Sequence, residues 1–268
     1  MRITEEEQSA SYSIHNRDNK IILKDSNTTL PSSTAVTREI IGGHEAEPHS
    51  RPYMAYLEAF DENPPKVQTC GGFLIREDVV MTAAHCHGST IEVTLGAHNI
   101  QKQEKSKCKI PVSRAILHPN FDSRIYTNDI MLLKVRKNAN LTKEVGLLSL
   151  PDSQVQLKPG QVCSVAGWGL LSPRSDMADT LQEVQLTLQM DQECKFHFPR
   201  NYNPAIQLCA GDPNRRKSTF KGDSGGPLVC NNLAQRIVSY GMSNGSPPRA
   251  YTRISSFLSW IRNTLRRM

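Results

Sequence analysis

The sequence has no long apolar run, no internal repeat and no nucleic-acid-binding motif. None of its apolar runs approaches the roughly 18 residues of a membrane-spanning helix, so we expect no membrane span. The formal net charge is +6, which is compatible with an anionic glycan partner or with an ordinary solvated surface. Because no recognised motif accompanies this charge, we predict no nucleic-acid partner.

Residues 1–39 contain no cysteine and no pattern typical of a core. They are rich in Ser, Thr, Asn and charged residues, and Ile21–Leu23 is too short for the core of a secretory signal. We therefore expect an atypical, disordered leader or pro-segment with no visible signal peptide, followed by one folded region over 40–268. All seven cysteines lie in that region, which allows three disulfides and one thiol in a secreted protein or seven thiols in a cytosolic one.

From residue 40 onward, short runs rich in Val, Ile and Leu alternate with Gly, Pro, Asn and Asp. This spacing predicts an all-β barrel or sandwich, and the length allows two barrels of roughly 110 residues that join near Pro151 and Pro159. The predicted strands are Gly72–Ile75, Val79–Ala84, Ile91–Leu95, Ile130–Val135, Val162–Ala166, Val184–Leu188, Pro227–Cys230 and Ile237–Tyr240.

Only the last segment, about 255–267, predicts an α-helix. Ser255 or Ser256 could cap its amino terminus. Its apolar face is predicted to consist of Phe257, Leu258, Ile261 and Leu265.

Three separate motifs carry groups suited to nucleophilic catalysis: TAAHC at 82–86, NDIMLL at 128–133 and GDSGGP at 222–227. Together with IIGG at 40–43, they resemble the trypsin-like (chymotrypsin) serine proteases over residues 40–268. The order His, Asp, Ser is that of this family and not of subtilisins or α/β-hydrolases. The resemblance implies two six-stranded antiparallel β-barrels, at about 40–150 and about 151–254, and the C-terminal helix.

The chemistry of these residue types agrees with the resemblance. A serine hydroxyl needs a base near neutral pKa, and a buried carboxylate can orient that base. We assign Ser224 as the nucleophile, His85 as the general base and then acid, and Asp129 as the orienting group of a serine endopeptidase. The resemblance places the oxyanion-hole amides at Gly222 and Ser224 and implies no cofactor. A metal site at 85–87 is not predicted, because no second ligand cluster appears.

The IIGG segment resembles the amino terminus of a mature protease in this family. Cleavage after Glu39 would free the Ile40 α-ammonium to pair with Asp223, and the uncleaved chain would be poorly active. A glutamate at this position resembles the granzyme and chymase branch, the granule proteases of lymphocytes and mast cells. The sequence departs from that branch in its leader and in carrying Arg38 instead of Gly.

The same resemblance implies three disulfides and an oxidising compartment, with Cys108 left free. Asn140 is the predicted glycosylation site, because the other sequon of the domain, at Asn244, should lie near the pocket rim. The implied pairs are Cys70–Cys86, Cys163–Cys230 and Cys194–Cys209.

The predicted substrate pocket has no acidic residue six positions before the nucleophile. Ser218 occupies that position, so selection of Lys or Arg is not expected. The segment 239–241 (Ser239, Tyr240, Gly241) is expected to form a wall and to pair with the substrate backbone. By resemblance to granzyme B-like members, Arg249 would enter the pocket and select Asp. The alternative is an Arg249 directed to solvent, with a chymase- or granzyme H-like apolar pocket.

The resemblance implies a cytotoxic-lymphocyte granule protease that promotes target-cell death, located in secretory granules and outside cells. Its implied partners are protein substrates, serpin inhibitors and anionic proteoglycan, the last through the basic cluster 215–217 and the basic carboxyl-terminal tail, and we expect a monomer. Two alternatives are a non-catalytic, glycan-binding protease homologue and an inactive form that keeps its leader.

Overall fold

The structure is a computed structural model that describes residues 40–152, 157–215 and 217–268. The predicted leader, Glu39 and Arg216 lie outside these residues. The described chain forms thirteen strands and two α-helices: β1 (His44–Glu45), β2 (Met54–Glu62), β3 (Pro65–Arg76), β4 (Val79–Thr82), β5 (Thr90–Leu95), β6 (Cys108–Leu117), β7 (Met131–Val135), β8 (Val162–Gly167), β9 (Gln182–Thr187), α1 (Asp191–His197), β10 (Gln207–Ala210), β11 (Pro227–Cys230), β12 (Leu233–Gly241), β13 (Arg249–Arg253) and α2 (Leu258–Arg266).

The first half of the domain is a closed six-stranded antiparallel barrel in the order β2-β3-β4-β7-β6-β5. Successive side chains of a strand point to opposite faces, so β2 buries Leu57 and Ala59 and turns Glu58 outward. The barrel interior also contains fully buried Phe73 and Leu133. This confirms the first predicted barrel.

The second half is a seven-stranded sheet in the order β1-β9-β8-β11-β12-β13-β10, rather than six strands alone. The additional strand is β1, whose His44 pairs with Glu183, so a segment predicted with the first barrel belongs to the second sheet. Because β1 has only two residues, the end of β9 remains available to β10. There, the Gln189 N–H donates to the Cys209 carbonyl at 3.0 Å, so the sheet curves back onto itself.

Each of the eight predicted strands overlaps an observed one, although β3 begins seven residues before the predicted start at Gly72, and the structure adds β1, β2, β6, β10 and β13. The long strands β2 and β6 carry charged residues on their outer faces, and these residues interrupt the apolar pattern along each strand. The helix α1 was not predicted either. It is a short helix that the Cys194–Cys209 disulfide joins to β10.

The C-terminal helix α2 begins at Leu258 after a 3₁₀ turn over Ile254–Phe257. The predicted serine cap is wrong, because Ser256 Oγ instead donates to the Ala205 carbonyl at 2.7 Å. The predicted apolar face is confirmed for Leu258 and Ile261, which are buried in the core cluster of the first barrel. The helix therefore joins the end of the chain to its first half.

The structure contains the three disulfides that the resemblance implies: Cys70–Cys86, Cys163–Cys230 and Cys194–Cys209. Cys108 is a free, half-buried thiol. Asn140 is exposed, as a glycosylation site requires. Of the helices in the described ranges, none combines the length and the apolar character needed to cross a bilayer.

We predict that Ile261→Ala lowers the free energy of unfolding by about 2–5 kcal/mol, because it leaves a cavity where α2 packs on the barrel. Urea unfolding with the disulfides intact measures this. The control is Arg262→Ala on the exposed face of the same helix, which should change stability by less than about 0.5 kcal/mol. Equal effects of the two variants would contradict the assigned packing.

Candidate active site

His85 and Asp129 meet at the edge of the first barrel. A 3₁₀ turn after β4 carries His85, and Asp129 lies just before β7. The His85 ring Nδ1 lies 2.7 Å from Asp129 Oδ2, and the His85 backbone N–H donates to Asp129 Oδ1 at 2.9 Å. Asp129 is fully buried, so both oxygens are withdrawn from water and bonded to the same histidine residue. This geometry fixes the ring and directs its Nε2 away from the carboxylate.

Ser239 is a further ligand of the Asp129 carboxylate. Its Oγ donates to Asp129 Oδ2 at 2.5 Å, and Thr252 Oγ1 donates to the Asp129 backbone carbonyl at 2.9 Å. The pairing of β12 with β13 shifts register between Val238 and Tyr240, and such a bulge redirects the intervening side chain. The prediction placed Ser239 only in the pocket wall. Its role beside Asp129 depends on the bulge, which no sequence pattern indicated.

Ser224 lies at the same cleft, on the loop before β11. Its carbonyl accepts a hydrogen bond from the Gly71 N–H at 2.7 Å and lies 3.7 Å from Cys86 Sγ, one residue after His85. Among the hydrogen bonds of the described residues, none joins Ser224 Oγ to the His85 ring. Catalytic hydrogen bonds are often long without substrate and shorten in the complex. The structure thus joins His85 to Asp129 and brings the backbone of Ser224 alongside them.

The loop around Ser224 requires glycine at two positions. Gly222 has a φ of 97°, and a Cβ there would lie 2.8 Å from Gly169 Cα. Gly225 has a φ of 83°, and its Cβ would lie 2.0 Å from Thr82 Oγ1. Within the described ranges, the amides of Gly222 and Ser224 donate to no protein acceptor. They are therefore available to a negatively charged oxygen next to the Ser224 side chain.

Asp223 is a fully buried carboxylate beside the predicted nucleophile. Burial raises its pKa to about 6, although the backbone amides of Phe220 and Gly169, at 2.7 and 2.9 Å, act in the opposite direction. Ile40 is also fully buried, in the core of the second sheet, and the Ile41 carbonyl accepts from the Ser218 amide at 3.0 Å. The segment that would become the amino terminus therefore already packs beside this loop.

The Arg249 side chain is buried, with a relative exposure of 7%. Its Nη1 donates to the Met242 carbonyl at 3.3 Å, and its Cζ lies 5.7 Å from the centre of the Phe220 ring. A Cβ on Gly241 would lie 2.7 Å from the same Cζ, so the guanidinium crosses the space that this glycine leaves open. The interpretation in which Arg249 points to solvent does not hold in this structure.

Two features of Arg249 indicate a charge without a full set of partners. Its Nε is buried and makes no hydrogen bond to any residue that the structure describes. Burial lowers the pKa of the guanidinium from its usual value, and the Tyr251 and Asp223 side chains act in the opposite direction. Ser218 is also buried, and its hydroxyl donates to the Thr219 carbonyl at 2.9 Å. The predicted pocket residues Ser218 and Arg249 therefore contribute one positive charge and no negative charge.

An aromatic side chain that the sequence analysis did not single out, Tyr126, packs against His85. The Tyr126 ring lies edge-on to His85, with centroids 5.3 Å apart, and 5.6 Å from the predicted pocket residue Tyr240. Phe198 contacts the other side of Tyr240 at 5.3 Å. The buried Gln207 amide donates to the Tyr126 carbonyl at 3.1 Å. Tyr126 lies in a loop and has a φ of 56°. No sequence motif marks Tyr126 or Gln207.

The donor atoms of Cys70, His85 and Cys86 lie within 4.8 Å of one another. The two sulfurs form a disulfide with each other, so this group does not offer thiolate ligands to a metal.

The arrangement of these groups agrees with the comparisons with known proteins. Residues 40–261 match the family model described as "Trypsin". The chain belongs to the trypsin family.

Its similarity to individual members of the trypsin family is also high. The chain is 56% identical to human granzyme B over 229 residues, 85% of this chain and 92% of that protein. It is 54% identical to human granzyme H over 234 residues, 87% of this chain and 94% of that protein. A solved structure described as "Structure of GrC" has a TM-score of 0.82 and 49% identity, covering 85% of this chain and all of the other. The protein is thus a trypsin-family serine endopeptidase, similar to granzymes.

We predict that Ser239→Ala lowers kcat about 10- to 100-fold with little change in KM. A hydrogen bond to a charged group contributes about 1.5–3 kcal/mol, and the variant removes the donor that faces the Asp129 carboxylate. Steady-state kinetics on a peptide substrate measure the change in this trypsin-family enzyme. The control Ser113→Ala removes an exposed hydroxyl bonded to the Lys134 carbonyl and should leave kcat unchanged. An unchanged kcat in Ser239→Ala would refute the assignment.

The burial of Asp223 leads to a second prediction, which concerns the pH dependence of stability in the uncleaved chain. Folded Asp223 keeps its proton up to about pH 6, whereas the unfolded chain loses it near the ordinary pKa of 3.8. The free energy of unfolding should therefore fall as the pH rises from about 4 to about 6. Asp223→Asn removes this loss and should gain up to about 3 kcal/mol relative to wild type between pH 4 and pH 7. Urea unfolding at both pH values measures the difference. Asp176→Asn, at an exposed loop position of this trypsin-family chain, is the control. A difference that does not vary with pH would count against a buried, unpaired Asp223.

Proposed function

We propose that the protein is an Asp-selective serine endopeptidase that uses His85, Asp129 and Ser224 as its catalytic triad. Support for the triad comes from the bonded His85–Asp129 pair and from Ser224 at the same cleft. Support for the selectivity comes from the buried Arg249 guanidinium beside Gly241. The buried Arg249 guanidinium is the observation that carries the proposed selectivity for Asp, because the catalytic groups alone are common to serine endopeptidases.

In the proposed reaction, His85 Nε2 takes the proton of Ser224 Oγ as this oxygen attacks the substrate carbonyl. Asp129 holds the ring in the required tautomer and stabilises the imidazolium. The amides of Gly222 and Ser224 bind the oxyanion of the tetrahedral intermediate. His85 then donates its proton to the leaving amine, which leaves an acyl group on Ser224. His85 then takes a proton from a water molecule as its oxygen attacks the acyl group. Cleavage of the acyl–Ser224 bond releases the carboxylic acid product and returns the proton to Ser224.

The specificity of this reaction follows from the charge of Arg249. A guanidinium offers two parallel N–H donors to a carboxylate, and the Nε of Arg249 has no partner. An aspartate before the scissile bond would supply the missing anion in a buried setting. Glutamate should be cleaved more slowly because its longer stem displaces the carboxylate. Ser218 is neutral, so it does not favour Lys or Arg.

The alternative of an apolar pocket is less well supported. Similarity alone does not separate the two specificities, because the identities to human granzyme B and human granzyme H differ by only two percentage points. The apolar pocket needs the Arg249 charge to lie in solvent, and the side chain is instead buried. A purely glycan-binding role is also less well supported, because the chain keeps the residues of the triad.

Activation is proposed to require cleavage after Glu39. The new Ile40 ammonium would then pair with Asp223, the buried carboxylate that has only amide donors in the uncleaved chain. This pairing would keep Asp223 charged below pH 6 as well, because a nearby cation lowers a carboxylate pKa. The same loop carries Gly222 and Ser224, so the pairing would order the oxyanion hole.

The granzyme relatives support a proposed setting in the cytolytic granules of lymphocytes, with cleavage of target-cell proteins as the outcome. Protein substrates follow from the family. Serpin inhibitors and granule proteoglycan are proposed partners, the latter through exposed basic residues that include Arg262, Arg266 and Arg267. Asn140 remains the proposed glycosylation site, and a monomer remains the proposed state.

We predict that Arg249→Gly abolishes the preference for Asp. Expression with Ile40 as the first residue and a peptide panel with Asp, Glu, Phe or Lys before the scissile bond test this. Cleavage after Asp should fall about 100-fold or more, because loss of one member of a buried charge pair costs about 2–5 kcal/mol. Cleavage after Phe should persist or rise.

Two controls complete the panel. Arg174→Gly removes an exposed arginine and should leave the profile unchanged, whereas Ser224→Ala should be inactive on every peptide. Faster cleavage after Phe than after Asp by the wild-type enzyme would reject the acidic specificity. Wild-type turnover by Ser224→Ala would reject the triad.

A further inference from the structure

A second buried arginine lies outside the catalytic site. Arg236 on β12 has a relative exposure of 1% and is among the largest fully buried side chains of the domain. Its Nη1 donates to the carbonyl of its own neighbour, Gln235, at 2.6 Å, and its Nε is buried without a hydrogen-bond partner among the described residues. A buried charge is normally paired with an opposite charge. Arg236 is therefore an unusual feature of this sheet.

A third arginine increases the positive charge at the same place. Arg253 is the cross-strand neighbour of Arg236 in the β12–β13 pair, so both project from the same face of the sheet. Arg253 is half-buried, and its Nη2 donates to the Gln207 carbonyl at 3.2 Å. Its Nε also lacks a hydrogen-bond partner in the part of the chain that the structure describes. Burial and the charge of Arg253 lower the pKa of Arg236 to about 9, so the Arg236 guanidinium remains charged at neutral pH.

No carboxylate in the described ranges forms an ion pair with either guanidinium. Tyr202 interacts electrostatically with Arg236, and its hydroxyl donates to Asp191 and also lies 3.4 Å from the Gln207 carbonyl. The Asp191 charge is thus engaged by the phenol rather than by an arginine. Two adjacent cations with unused N–H groups form a site that favours an anion.

We propose that Arg236 and Arg253 bind a small inorganic anion on this face of the second sheet. The anion would accept hydrogen bonds from the free Nε groups and reduce the repulsion between the two cations. Arg249 is the first residue of β13 and Arg253 is the last. Arg253 therefore lies about 13 Å along the strand from the proposed specificity residue Arg249. The proposed anion site is therefore distinct from the specificity pocket and does not depend on the proposed protease specificity.

The test compares the melting temperature of the full chain in chloride, phosphate and gluconate at equal ionic strength. Gluconate is too bulky to enter a buried site and serves as the reference anion. For the wild type, chloride or phosphate should raise Tm in a saturable way, by about 2–4 °C for each kcal/mol of binding free energy. In Arg236→Gln this anion-specific rise should be lost.

The direction of the effect in gluconate is a further criterion. Arg236→Gln removes an unpaired buried charge, so without a binding anion it should melt no lower than the wild type. Arg253→Gln should also lose the anion response, which provides a second variant if the first folds poorly. Arg262→Gln, on the exposed face of α2, is the matched control and should respond as the wild type does. Parallel responses of wild type and Arg236→Gln to all three anions would overturn the proposal.

Crystals soaked in bromide give a direct measurement. An anomalous peak within hydrogen-bonding distance of Arg236 Nε would support the site. Bromide bound elsewhere in the same crystals, with none between the two arginines, would refute it.

Discussion

The buried carboxylate of Asp129 holds the two halves of the domain together at the catalytic cleft. His85, from the first barrel, bonds both of its oxygens, and Ser239, from the second sheet, bonds one of them. Thr252 adds a bond to its backbone carbonyl from β13. A fully buried charge is tolerated only where it is well hydrogen-bonded, so the position of each half is constrained by the same group. The imidazole is oriented as a consequence of this constraint.

Two further buried charges lie close to this centre and have incomplete partners. Within the described ranges, Asp223 accepts hydrogen bonds only from backbone amides, and Arg249 donates to one carbonyl. Under the proposed function, each charge is completed by a different event, Asp223 by the new amino terminus and Arg249 by the substrate carboxylate. A site with these properties is unfavourable until both events occur, because an isolated charge in a low-dielectric interior is costly. The chain can therefore fold before it is able to select a substrate.

The sequence was sufficient to predict the β class, the catalytic motifs and three disulfide pairs, the last through the family resemblance. It was also sufficient for the buried face of α2, because Leu258 and Ile261 follow the helical period. It failed for β2 and β6, whose outward-facing charges interrupt the apolar pattern. It also failed for the cap of α2, because Ser256 bonds to Ala205, a partner fifty-one positions earlier.

What the sequence by itself determined is the local chemistry: a histidine, a carboxylate and a serine in separate motifs, glycines where the loop needs positive φ, and an arginine near the pocket. Only the tertiary structure decided which charges are buried and what they meet. The bulge in β12 turned Ser239 toward Asp129, and the space above Gly241 admitted the Arg249 side chain. The register of β12 against β13 likewise placed Arg236 opposite Arg253. Burial and register depend on distant segments, so no local pattern along the chain encodes them.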